Sequence, residues 1–256
     1  MHKLKKYALL FSLLMLVSMA PPRKKITVYL IGDSTMADKR ASTFPETGWG
    51  TPFKTFFDSS VVVDNRAKNG RSTRTFISEN LWQPIADQLQ EGDYVFIQFG
   101  HNDEAKTKTD RYAAPEDYKK NLIWFVKEAR SRKANPVLLT PVTRRRFDAQ
   151  GKIRETHIAY SPLVLEVAKE TNTPFIDLDK LSRDLLQRFG EEDSKLLFLQ
   201  IEAGEHPNYP EGRDDNTHFN ELGTRKMAQI VLSQIVALHL ALADRFVNHN
   251  IKKKTP

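Results

Sequence analysis

The run ITVYLIGDSTMAD, residues 26–38, frames the reading of this chain. Ile26 to Gly32 has the β-branched and aromatic character of a strand, and it stops on Gly32-Asp33-Ser34-Thr35. An apolar run that ends on small polar residues has two readings. It is an ordinary strand-to-helix turn capped by the serine hydroxyl, or it is a nucleophile held up at the end of a strand. Alone, the tripeptide favours the capped turn.

Working outward, strand-like and helix-like segments alternate. VVVDNRA (61–67), DYVFIQFG (93–100), PVLLTPV (136–142) and PFIDL (174–178) read as strands two to five. Between them, residues 48–59, 72–89 (with a break near Pro84), 115–135 and 161–172 read as helices, and 220–242 reads as a long closing helix capped by Asn220. In 115–135, Leu122, Phe125, Val126 and Ala129 share one face and are core candidates. DDNTH (214–218) reads as a polar turn ahead of the last helix.

This β-α-β-α order, with continuously apolar strands, predicts an α/β chain: a five-stranded parallel sheet between two helical layers. Such sheets carry their sites beyond the carboxyl ends of the strands. The polar clusters fall there. GDST follows strand one, KNGRST strand two, GHND strand three and TPVTRRR strand four.

The bulk composition narrows the rest. The chain has 256 residues, 40% hydrophobic and 28% charged, enough for one large core. HKLKK followed by YALLFSLLMLVSMA predicts a secretory signal over residues 1–20 and a single domain over 21–256. The cut site next to Pro21 is awkward, and a retained anchor is the alternative, although the run is short for a span. There is no cysteine, so no Cys nucleophile and no thiolate metal site. The formal charge is +7, but Lys3, Lys5 and Lys6 lie in the signal and three more lysines lie in the IKKKTP tail. The body is mildly basic, which suits an acidic polysaccharide better than nucleic acid.

A serine needs a base, and the base needs a carboxylate to fix its tautomer. Of seven histidines, His218 has Asp215 three residues before it. His239 reads as a core or interface residue in the last helix, and His157 and His206 have no evident partner. An acyl-transfer reaction also needs oxyanion donors. Ser34 and Gly70 offer backbone N–H groups, and Asn102 in GHND a side-chain amide.

These four blocks, GDST, NGRS, GHND and DDNTH in this order, resemble the SGNH (GDSL) hydrolase superfamily. YLIGDSTMAD, GWGTPF, NGRSTRTF, QFGHND and TPVTRRRF further resemble its rhamnogalacturonan acetylesterases. The resemblance implies a flavodoxin-like three-layer fold, catalytic Ser34, Asp215 and His218, an oxyanion hole of Ser34, Gly70 and Asn102, and deacetylation of pectic polysaccharide. No metal or organic cofactor is expected, since the chain has no HExxH and no phosphate-cradling glycine run.

Arg71 and Arg144 are candidates for pairing with substrate carboxylates, and Trp49 or Trp82 for stacking on sugar. Two rivals stand beside this reading. One is an esterase, lipase or thioesterase of the same scaffold acting on acetyl-xylan or a lysophospholipid. The other is a non-catalytic carbohydrate-binding protein. No stable membrane partner is expected. Val231, Ile235, Leu238 and Leu242 are apolar enough for a weak dimer face, but packing on the chain's own sheet, as a monomer, is their better use.

Overall fold

The structure is a computed structural model that describes residues 23–247. The signal-like segment 1–20 and the IKKKTP tail lie outside the described residues. The central sheet consists of β1 (Ile26–Gly32), β2 (Val61–Asn65), β3 (Tyr94–Gln98), β4 (Asn135–Leu139) and β5 (Phe175–Ile176). Its order is β2-β1-β3-β4-β5, and every pairing is parallel. The five-stranded expectation holds.

The inner strands β1 and β3 read as unbroken apolar runs because both faces are covered, whereas the edge strand β2 leaves Val62 51% exposed. Alternate residues point to opposite sides. Val28 and Leu30 join one core with Phe53, Leu186, Val231 and Ile235. Tyr29 and Ile31 join a second core with Phe76, Ile85, Phe125 and Val164. On the first face lie α1 (Gly50–Phe53) and, from later in the chain, the two helices that follow β5. On the second lie α2 (Thr73–Ser78), α3 (Gln83–Ala86), α4 (Pro115–Ser131) and α5 (Ser161–Glu170). Leu122, Phe125, Val126 and Ala129 of α4 are buried as the 3.6-residue spacing predicts. Pro115 begins α4, Glu116 and Asp117 sit in its first turn and Arg130 in its last, so the charges oppose the helix dipole.

Several expectations are corrected. The helix read over 48–59 shrinks to α1 and a 3₁₀ turn. The break in 72–89 falls before Pro84, which instead lies in the first turn of α3. After β5, the sequence reading left out α6 (Leu178–Asp193), whose buried face sets Asp179 and Ser182 among Leu178, Leu185 and Leu186. The last helix, α7 (Glu221–Ala237), begins on the Asn220 cap as expected but ends five residues early. His239 adopts φ 52 and the Leu240 N–H donates to the Ile235 carbonyl at 3.1 Å, which closes the helix end. His239 is therefore an exposed terminator, not a core residue. Val231, Ile235 and Leu242 are buried in the chain's own core.

The segment containing DDNTH is not a turn. It is β7 (Arg213–Phe219), antiparallel to β6 (Phe198–Ile201) in a separate two-stranded ribbon. Its polar sequence hid it, because the ribbon is half exposed and shows no apolar alternation. The register jumps from Leu199 opposite Asp215 to Phe198 opposite Phe219, so residues 216–218 bulge from the ladder.

Candidate active site

The turn after β1 is locked from beneath. A Cβ at Gly32 would stand 2.5 Å from the Gln98 carbonyl oxygen on β3, so only glycine fits that register. Asp33 Oδ1 accepts from the Thr35 backbone N–H at 2.9 Å and from its hydroxyl at 2.8 Å. Gln98 donates to Thr35 Oγ1 at 2.7 Å, and the buried Trp49 indole donates to Gln98 Oε1 at 2.5 Å. Asp33 is wholly buried, and that burial pushes its carboxyl above the ordinary range. With Asp33 and Thr35 facing inward, Ser34 between them remains half buried at the surface.

His218 reaches this serine from the β7 bulge. Its Nε2 lies 2.9 Å from Ser34 Oγ, and its Nδ1 lies 2.9 Å from Asp215 Oδ2. With Nδ1–H donating to the carboxylate, Nε2 is left as an acceptor for the serine proton. Asp215 Oδ1 accepts from the backbone N–H of Thr217 at 2.8 Å and of His218 at 2.9 Å, which folds the bulge around the carboxylate. Burial alone would raise Asp215, but the hydrogen bonds from His218 and Thr217 and the neighbouring imidazole hold it well below the carboxylate range. It is an anion whenever the chain is folded near neutrality.

The two donor loops meet Ser34 along the same strand ends. The Lys68 N–H donates to the Gly32 carbonyl at 3.0 Å, binding the loop after β2 to the end of β1. Gly70 takes φ 75, a left-handed conformation suited to glycine. Among the described residues, the backbone N–H groups of Ser34 and Gly70 donate to no other group. The Asn102 amide donates to the Arg71 carbonyl at 3.0 Å, which sets it beside Gly70. Asp103 fastens this arrangement, because its Oδ1 accepts from the Thr73 N–H at 2.8 Å and hydroxyl at 2.5 Å at the start of α2. Burial pushes Asp103 up to about 7.

The two arginines singled out in the sequence are already engaged. Arg71 grips Glu79 at 2.9 and 2.8 Å and the Asn69 carbonyl at 2.9 Å. Arg144 pairs with Glu104 at 2.6 Å, with side chains only 19% and 18% exposed. Trp49 and Trp82 are both buried, so neither offers a face to a sugar.

Sequence reasoning also missed several supports. His157, wholly buried, sits between Glu104 (3.1 Å) and the Val142 carbonyl (2.9 Å). Burial pushes Glu104 upward, but His157 and Arg144 outweigh it and hold the carboxyl below its ordinary value. Arg145 is buried and donates to Ser194 Oγ at 3.0 Å, to Asn216 Oδ1 at 2.8 Å and to the Glu191 carbonyl. Asn216 belongs to the His218 bulge, so Arg145 ties that bulge to α6. Among the described residues, no group of three or more His, Cys, Asp or Glu gathers as a metal site. None of the helices among them is long and apolar enough to cross a membrane.

This geometry can move a proton from a serine to an imidazole oriented by an anion. Comparisons with known proteins identify the family. The GDSL-like Lipase/Acylhydrolase family matches residues 30–226. The chain is 41% identical over 231 residues to rhamnogalacturonan acetylesterase RhgT of Bacillus subtilis, covering 90% of this chain and 98% of that one. It is 34% identical over 221 residues to the probable rhamnogalacturonan acetylesterase YesY of the same organism, covering 86% and 97%. In fold it resembles the YxiM protein of Bacillus subtilis (TM-score 0.72, 23% identity, 86% of this chain and 58% of that one). It also resembles an acetylxylan esterase, Axe2, of Geobacillus stearothermophilus (TM-score 0.56, 18% identity, 83% and 94%). With the fold, the family match and its curated relatives in agreement, this chain belongs to the GDSL-like Lipase/Acylhydrolase family, the SGNH hydrolases, as a carboxylic-ester hydrolase.

Proposed function

We propose that the chain removes O-acetyl groups from acetylated rhamnogalacturonan through an acyl-enzyme on Ser34. The observation that carries this reading is the unbroken contact from Ser34 Oγ to His218 Nε2 and from His218 Nδ1 to Asp215, each at 2.9 Å. The similarity to a rhamnogalacturonan acetylesterase over nearly the whole of both chains supports the substrate.

In this scheme the Ser34 hydroxyl oxygen bonds to the acetyl carbonyl carbon while its proton passes to His218 Nε2. Asp215 stabilises the imidazolium that forms. The carbonyl oxygen becomes an oxyanion, met by the N–H groups of Ser34 and Gly70 and the Asn102 amide. Collapse breaks the bond to the sugar oxygen, which leaves with the His218 proton. A water then gives a proton to His218, attacks the acetyl-serine, and acetate departs as Ser34 regains its hydrogen.

We further propose that residues 1–20 direct export, which places the enzyme where plant polymers are met. The test is acetate release from acetylated rhamnogalacturonan, from acetylated xylan and from nitrophenyl esters of rising acyl length. Release from the pectic polymer that Ser34→Ala abolishes supports the reading. Ser34-dependent release from xylan or from long-chain esters, with none from the pectic polymer, would move the substrate elsewhere. No ester turnover at all would favour the binding-protein alternative.

A further inference from the structure

The arginines chosen from the sequence are occupied, yet another one stands at the candidate oxyanion glycine. A Cβ placed on Gly70 would lie 3.0 Å from Arg111 Nη1 and 3.8 Å from its Cζ. The Arg111 guanidinium therefore lies against the Cα side of Gly70, whose N–H would meet the oxyanion. It belongs to the loop after β3, and two hydrogen bonds pin that loop to α2. Arg74 Nη1 donates to the Thr109 carbonyl at 3.2 Å and to the Tyr112 carbonyl at 3.3 Å.

The pairing of Arg111 is unlike that of Arg71 or Arg144. Its Nε and Nη2 contact the Asp110 carboxylate at 3.2 and 3.1 Å, a neighbour in sequence whose side chain is 67% exposed. An exposed pair of that kind is worth little, on the order of 0–1 kcal/mol. Nη1, the atom nearest Gly70, donates to no group among the described residues. Lys106 and Lys108 on the same loop are exposed as well, so the rim carries positive charge.

We propose that Arg111 is a specificity residue that pairs with a carboxylate on the alcohol side of the ester, next to the acetyl group in Ser34's reach. This rests on the reading of the chain as a pectic deacetylase and adds that recognition of the uronic acid carboxylate falls to Arg111. A carboxylate approaching Nη1 and Nη2 meets a planar fork of matching geometry, and Asp110 can swing into water as it arrives. Blocking the carboxyl as its methyl ester removes the charge and one of the two fork contacts.

The test is the ratio of kcat/KM on two small substrates, an acetylated methyl galacturonoside with a free carboxylate and the same compound as its carboxyl methyl ester. Wild type should favour the free acid by about tenfold, the worth of one charge-assisted contact. Arg111→Ala should bring the ratio close to one, and Arg111→Lys should leave it in between. A merely structural role would lower both rates together and keep the ratio. A wild-type ratio near one, or a preference that survives Arg111→Ala, overturns the proposal. Acetate release from the polymer judges the pectic reading separately, so an Arg111-dependent ratio without polymer turnover would retain Arg111 and discard rhamnogalacturonan.

Discussion

Ser34 follows a strand of which every residue but Thr27 is buried, whereas His218 sits in a strand of which only Phe219 is buried. The turn of Ser34, the proposed nucleophile, is fixed by the main sheet, through Gly32 against Gln98 and through the Trp49–Gln98–Thr35 chain. His218, the proposed base, is carried by a small ribbon whose shape comes from polar contacts: Asp215 to its own bulge, Arg145 to Asn216, and Asn220 to the Leu196 and Phe198 carbonyls at 2.9 and 3.0 Å. Apolar packing is dense and hard to deform, and it suits the group that must stay put. A hydrogen-bonded ribbon holds its geometry only while each partner is present. The comparison teaches that damage on the two sides should have different signatures: chemical loss at the nucleophile side, and combined loss of rate and stability at the base side.

The largest expected effect is removal of the reacting pair. Ser34→Ala and His218→Ala should each lower kcat by about 10⁴-fold or more, and combining them should add little, because the two act as a unit. Stopped assays on nitrophenyl acetate check this, and additive losses would show that they act apart. Asn102→Ala comes next. Losing one oxyanion donor costs about 10²–10³ in kcat with little change in KM. A rise in KM alone would remove Asn102 from the oxyanion role.

Arg145→Met tests the ribbon directly. It removes three hydrogen bonds of a buried guanidinium and leaves Asn216 Oδ1 with only Gln200 at 3.3 Å and the Glu191 carbonyl with only Ser194 at 3.0 Å, at a cost of about 1–3 kcal/mol. Melting temperature and kcat should fall together, kcat by roughly tenfold, because the bulge that holds His218 loosens. Unchanged kcat with a lowered melting temperature would mean that the bulge holds itself.

The last effect is read in the pH dependence of stability and concerns Asp103 under the nucleophile side. Burial raises its carboxyl from 3.8 to about 7, so the folded chain keeps a proton that the unfolded chain releases. Stability from this group is full below about pH 4 and is lost as pH rises toward 7. Asp103→Asn keeps an acceptor for Thr73 and removes the titration. Its melting temperature relative to wild type should therefore rise between about pH 4 and pH 8, and parallel curves would contradict the buried charge.

The same contrast explains what could be read in the sequence. The sheet and the α4 face were legible, because continuous apolar strands and the Leu122, Phe125, Val126, Ala129 spacing are direct marks of burial. Ser34, Gly70 and Asn102 were proposed because each lies in a loop that follows a sheet strand and in a block that resembles the family. The ribbon was not, since RDDNTHF carries no period-two pattern and exists as a strand only by pairing with β6. Asp215 and His218 were proposed from their spacing together with the resemblance of DDNTH to the family's block. Arg145, His157 and Arg111 were missed because nothing local separates a buried or site-facing cation from a solvated one. That distinction belongs to long-range contacts, such as Arg145 with Asn216 and Arg111 with Gly70.

The central claim, that a serine fixed by the sheet is switched on by a base from a separate ribbon, is tested most directly by labelling with a fluorophosphonate and mapping the adduct by mass spectrometry. The account predicts one adduct per chain, on Ser34, with loss of ester turnover in proportion, and labelling slowed by orders of magnitude in His218→Ala. An adduct on another residue, or full turnover by a chain labelled at Ser34, would contradict it.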